Sequence, residues 1–112
     1  MFETLFGKKT GKSITPSEAK ERLLQNENAI LLDVRSPDEY REIHIPGSVL
    51  LPLGQIRSGI SNIAPDKDAE IIVYCLSGMR ASQAVSQLAA MGYTNVSNMG
   101  GIRDWRYEVE KG

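Results

Sequence analysis

Two short runs constrain this chain more than anything else in it. Ala29–Val34, AILLDV, and Ile71–Tyr74, IIVY, are nearly continuous apolar stretches without polar alternation. A strand with one wet face alternates apolar and polar residues, whereas a strand covered on both faces does not. Both runs are too short and too rich in branched residues to read as buried helices. Beyond the second run, Ala81, Ala84, Val85, Leu88 and Ala89 recur at the spacing of one helical face. Buried strands alternating with amphipathic helices predict an α/β domain, with a mainly parallel sheet and helices on both faces.

The chain has 112 residues, which suits a single domain. Its hydrophobic content of 41% allows a packed core, and a net charge of −1 gives no reason to expect nucleic acid or a membrane surface as partner. No apolar run is long enough to span a bilayer, and the MFETLFGKK start lacks the long apolar segment of a secretory signal. A cytoplasmic location is the resulting expectation, and a reducing compartment keeps a thiol usable. One cysteine excludes an internal disulfide and a multi-cysteine zinc site, and one histidine argues against a histidine metal cluster.

Residues 1–12 read as a loosely attached extension, with Phe2, Leu5 and Phe6 covering a core edge, and residues 13–112 as the domain. Thr15-Pro16-Ser17-Glu18 is a capping box with proline at the first helical position, predicting a helix to about Gln25. A second box, Ser36-Pro37-Asp38-Glu39, predicts a short helix through about Glu42, with Glu39 as its capping residue. A short strand at Val49–Leu51, a brief helix near Gln55–Ser58 and a polar connection over Ser61–Asp68 follow. Val96 marks a last short strand, and Gly100-Gly101 leads to a terminal helix carrying Trp105, which packs against the sheet.

The chemistry is expected at Cys75-Leu76-Ser77-Gly78-Met79-Arg80, where the second buried run ends and a helix opens. Ligands of open parallel sheets collect beyond the carboxyl ends of the strands. Gly78 permits a backbone conformation closed to other residues, so that the loop N–H groups can turn inward onto the sulfur. The helix start adds about half a positive charge. Both effects favour a thiolate, the nucleophilic form. Arg80 supplies a permanent cation that either pairs with an anionic substrate or braces the loop. Met79 is placed at the pocket mouth, and Ser77 either donates to a bound oxyanion or satisfies loop backbone.

These residues resemble the active-site loop, C-x-x-G-x-R, of the rhodanese (sulfurtransferase) family in its single-domain form. Asp33-Val34-Arg35, Glu39-Tyr40 and His44-Ile45-Pro46-Gly47 resemble that family's upstream signature, and Gly100-Gly101 with Trp105 its C-terminal one. The resemblance implies a five-stranded parallel sheet flanked by helices. It also implies that Cys75 attacks a sulfane sulfur, as in thiosulfate, a persulfide or a polysulfide. The sulfur would then pass from a Cys75 persulfide to cyanide or to a thiol, including a partner protein's cysteine, without a metal or organic cofactor. Leu76 and Met79 are apolar where some thiosulfate-using relatives carry polar or basic residues, so a less charged donor or a protein partner is an equal alternative.

Asp33 and Arg35, at the neighbouring strand end, either fix the loop from a second layer or form a structural ion pair, the reading preferred here. His44 has no carboxylate near it in sequence and is read as structural. Two other function classes fit the scaffold less well. A phosphatase or arsenate reductase on this scaffold resembles Cys-x5-Arg, and the four-residue spacing here makes a smaller ring, better fitted to one sulfur atom than to phosphate. A non-catalytic protein-binding module of this type usually lacks the cysteine.

Overall fold

The computed structural model describes residues 10–112. Phe2, Leu5 and Phe6 lie outside them. In chain order the elements are β1 (Lys12–Ser13), α1 (Pro16–Gln25), β2 (Ile30–Asp33), α2 (Pro37–Glu42), β3 (Val49–Leu50), α3 (Ile56–Ile63), β4 (Ile71–Cys75), α4 (Met79–Ala90) and β5 (Val96–Gly101). Single 3-10 turns at Leu53–Gln55 and Ile102–Asp104 complete them. The five strands form one sheet in the order β1-β5-β4-β2-β3, and every pairing is parallel. Among the described residues no helix is long and apolar enough to cross a membrane.

The two apolar runs occupy the sheet interior because both faces are covered. Leu32, Ile71, Val73 and Cys75 point to one side and pack under α3 and α4 with Ile56, Ile60, Ala84 and Leu88. Leu31, Ile72 and Tyr74 point to the other and pack with Ala19, Ile45, Met99 and Trp105. Each such fully buried aliphatic side chain is stabilised by roughly 2 kcal/mol relative to exposure, before the entropy of ordering is counted. Both predicted capping boxes are formed. Thr15 and Ser36 each accept the N–H of the third helical residue, and Glu18 and Glu39 reach back to the cap N–H.

Four elements differ from the sequence-based expectation. Lys12, assigned there to the extension, lies in edge strand β1, and the hydrogen bonds Gly11 N–H to Val96 O and Ile14 N–H to Asn98 O secure it. α3 runs on to Ile63 rather than ending near Ser58, because Ile56 and Ile60 anchor it in the core. The interior Gly59 lets that helix sit against Leu51, whose Cδ1 would be 2.7 Å from an added Cβ. β5 is six residues long and takes in Gly100-Gly101. Its polar and glycine positions hide it from a hydrophobicity reading, but it is hydrogen-bonded to a strand on either side.

The expected terminal helix is absent. After the 3-10 turn Ile102–Asp104 the backbone at Trp105 is extended, and the indole N–H donates to the Glu108 carbonyl at 2.9 Å. The tail then returns to His44, exchanging backbone hydrogen bonds between His44 and Glu110 of 2.8 and 2.9 Å. Trp105 itself is buried in the second apolar layer.

Candidate active site

The site grows from the carboxyl end of β4. Cys75 is the last residue of that strand, and parallel pairing with β5 sets it opposite Gly101. The register slips between Val73 and Tyr74, passing over Met99, so that the two glycines of β5 face Tyr74 and Cys75. The chain then turns through Leu76 and Ser77 into Gly78, which has φ +115° and forms the N-cap of α4. Residues with a Cβ are strained at that φ.

The turn aims backbone donors at the sulfur. The Gly78 N–H lies 2.9 Å from Sγ, and the Ala81 N–H, from the first turn of α4, lies 3.4 Å away. Those two N–H groups and the amino end of a three-turn helix place positive partial charge against Sγ. Cys75 itself is 1% exposed, at the floor of the loop and continuous with the core under α4. Leu76 and Met79 form the rim at 43% and 75% exposure, and Ser77 is exposed beside them.

What holds the loop in place is β5. A Cβ on Gly101 would sit 1.9 Å from the Leu76 carbonyl oxygen and 2.6 Å from the Ser77 Cα. Only glycine allows the loop to lie on the strand. Asn98 adds a brace, donating from Nδ2 to the Gly78 carbonyl at 3.3 Å while its Oδ1 accepts the Gly100 N–H at 2.7 Å. A doubled glycine at a strand end is a sequence signal for such an approach. Asn98 carried no signal at all.

Arg80 braces rather than standing free. Its Nη1 and Nη2 donate to the two carboxylate oxygens of Glu39 at 2.7 and 3.0 Å, across 41 residues of chain. Glu39 was read from sequence as a cap alone. It is both, since Oε1 also accepts the Ser36 N–H at 2.9 Å. The hydrogen bond from Arg80 is the main reason the Glu39 carboxyl is pulled down to about 2. Arg80 is correspondingly raised, first by Glu39, with smaller contributions from the proximity of Cys75 and Asp33.

Asp33 and Arg35 lie at the end of the adjacent strand and bond chiefly to each other. The Arg35 guanidinium meets Asp33 at 2.7, 3.0 and 3.1 Å and also donates to the Ile43 carbonyl at 2.8 Å. Both side chains are almost wholly buried. Burial pulls the Arg35 pKa down, but the Asp33 carboxylate more than offsets that, and the net direction is upward. The pair ties β2 to the chain entering β3 and sends no hydrogen bond to the cysteine loop. His44 stacks on Tyr40 with ring centroids 3.8 Å apart, and its ring nitrogens face the Tyr40 carbonyl and Glu110.

The sequence profile of the rhodanese-like domain family matches residues 15–108. The chain is 38% identical over 81 residues to the thiosulfate sulfurtransferase PspE of Escherichia coli, covering 72% of this chain and 78% of that protein. It is 31% identical over 101 residues to the probable adenylyltransferase/sulfurtransferase MoeZ of Mycobacterium tuberculosis, of which it spans only 26%. Among solved structures, one described as a rhodanese with anions, from E. coli, matches with a TM-score of 0.72 at 37% identity, covering 75% of this chain and 99% of that one.

Proposed function

Because the chain belongs to the rhodanese-like domain family, we propose that it is a sulfurtransferase that carries sulfane sulfur on Cys75. The observation that carries this reading is the pair of N–H groups, from Gly78 and Ala81, directed at one sulfur at 2.9 and 3.4 Å. Negative charge on sulfur at this position is met by donors already in place, which is the form of preorganisation that group transfer uses.

The transfer proceeds in two balanced steps. The Cys75 thiolate attacks the outer sulfur of a donor, a new S–S bond forms, and the old bond to that sulfur breaks. The leaving group departs with the bonding electron pair, as sulfite from thiosulfate or as a thiolate from a persulfide or polysulfide. The Cys75 persulfide then holds an anionic terminal sulfur about 2 Å beyond Sγ, where the loop N–H groups solvate it. In the second step an external thiolate or cyanide attacks that terminal sulfur, forming a persulfide or thiocyanate, and the Cys75 thiolate is restored.

Leu76, Ser77, Gly78, Met79 and Arg80 frame the approach. Gly78 shapes the ring of donors, Leu76 and Met79 give the rim an apolar character, and Arg80 braces the start of α4. This chain carries a single cysteine and cannot resolve its own persulfide into a disulfide, so the acceptor comes from outside. A reducing compartment such as the cytoplasm would keep Cys75 as a thiol between turnovers.

Intact-mass measurement after exposure to thiosulfate, a small-molecule persulfide or mercaptopyruvate tests the reading. The expected result is a gain of one sulfur atom that is removed by cyanide or thiol and is lost in Cys75→Ala. No gain with any donor, or a gain that survives Cys75→Ala, would count decisively against it.

A further inference from the structure

Arg80 stands on the first turn of α4, one residue before the Ala81 N–H that faces the sulfur. A free guanidinium in that place would draw doubly charged oxyanion donors, since its fork matches two oxygens at once. Here the ends of the fork close on Glu39 instead, through both Nη atoms. The carboxylate is presented by a preformed helical turn, because its Oε1 also completes the Ser36 capping box. Glu39 therefore needs little further ordering to meet Arg80. It stays ionised throughout the physiological range, being pulled down to about 2, first by Arg80. Both side chains retain partial exposure, 36% for Arg80 and 29% for Glu39, and Arg80 directly follows the exposed Met79 in the first turn of α4.

We propose that Glu39 is a specificity-determining residue: by neutralising Arg80 it turns Cys75 away from dianionic donors such as thiosulfate and toward sulfane donors with little charge at the reacting end. This rests on the reading of Cys75 as a sulfur carrier. Its electrostatic content can nevertheless be measured without any sulfur transfer, because anionic and neutral reagents of similar size sense the field at the same thiol.

Glu39→Gln suits the test, since glutamine keeps the size and the capping-box acceptor while removing the charge. Alkylation of Cys75 by iodoacetate and by iodoacetamide, followed by intact mass, gives a rate ratio for each protein. One uncompensated positive charge near the loop should raise the iodoacetate-to-iodoacetamide ratio about five-fold over wild type. The KM for thiosulfate should fall by a similar factor, with kcat and loading from an uncharged organic trisulfide little changed. Asp38→Asn removes a charge from the same helical turn without touching Arg80 and should leave the ratio near wild type. An unchanged ratio in Glu39→Gln, or an equal rise in Asp38→Asn, overturns the proposal. A raised ratio in a protein that no donor loads would leave the charge assignment standing and sink the sulfur-carrier reading instead.

Discussion

The carboxyl ends of β2 and β4 are neighbours in the sheet, both buried, and they treat their polar atoms in opposite ways. At the end of β2 the Asp33 carboxylate is met by the guanidinium of Arg35 and by the Arg35 N–H at 2.9 Å. Its charge is matched by a side chain two residues away, and Arg35 spends its remaining reach on the Ile43 carbonyl. At the end of β4 the Cys75 sulfur is met by backbone N–H groups. A closed side-chain pair, buried at both ends, holds the chain together. The sulfur is held by two backbone donors and pairs with no charged side chain of its own, which is what the proposed exchange of sulfur at Cys75 requires. Under the proposed function, the comparison sets a strand end that braces the fold beside one that carries the chemistry.

The largest expected effect on this contrast comes from Gly101→Ala. Its Cβ would meet the Leu76 carbonyl oxygen at 1.9 Å, backbone against side chain with no flexible partner to yield. Stability should fall by about 4 kcal/mol, read by denaturant unfolding, and sulfur loading of Cys75 should be abolished even in the folded fraction. Retained loading would show that the loop does not need β5 as its platform.

Asp33→Ala comes next. It strands the Arg35 cation in the core and should cost about 3–4 kcal/mol. At temperatures where the protein remains folded, loading per folded molecule should stay within about two-fold of wild type, since the pair sends no hydrogen bond to the loop. A large loss of loading with modest loss of stability would move Asp33 and Arg35 into the chemistry and erase the distinction between the two strand ends.

Gly78→Ala should be milder for the fold and severe for the site. The strain at φ +115° costs about 1–2 kcal/mol, and the nearest atom to an added Cβ, the Gly100 Cα, lies at a tolerable 3.5 Å. If the chain escapes that strain by rotating, its N–H leaves the sulfur. Loading should then fall at least about ten-fold, the cost of one lost donor. A variant that loses stability but loads normally would show that this N–H is dispensable.

The smallest effect is a pH dependence. Glu39 has a folded-state pKa lowered from 4.5 to about 2, chiefly by its hydrogen bond with Arg80. The sign follows from linkage: its contribution to stability is fully present above about pH 4.5 and drains away as pH falls toward 2. Because the ion pair is partly exposed, the difference between wild type and Glu39→Gln at neutral pH should be under about 1 kcal/mol. Acid-unfolding curves of the two proteins should converge through that window. A gap that stays constant from pH 6 to about pH 2 would remove the charge from the explanation.

Much of this is legible in the sequence alone, because it depends on neighbours along the chain. Both capping boxes, the two buried strands, the amphipathic face of α4 and the cysteine at the strand end are local patterns. β1 was invisible for the complementary reason. Lys12-Ser13 has no hydrophobic signature, both residues are exposed, and the strand exists because backbone groups on β5 need partners. The end of α3 is hidden in sequence because Ser61–Asp68 reads as a polar connection, while the burial of Ile56 and Ile60 that extends the helix comes from the sheet beneath.

Residue order along the chain was enough to specify an α/β domain with its one thiol at a strand end, since periodicity and turn chemistry act over a few residues. Three pairings required the folded chain: Glu39 with Arg80, Gly101 under Leu76, and Asn98 beside Gly78. Each joins atoms from segments more than 15 residues apart. No local propensity encodes such a meeting. It is decided by strand order and by the slipped register between β4 and β5, which set where the side chains and carbonyls of distant segments arrive.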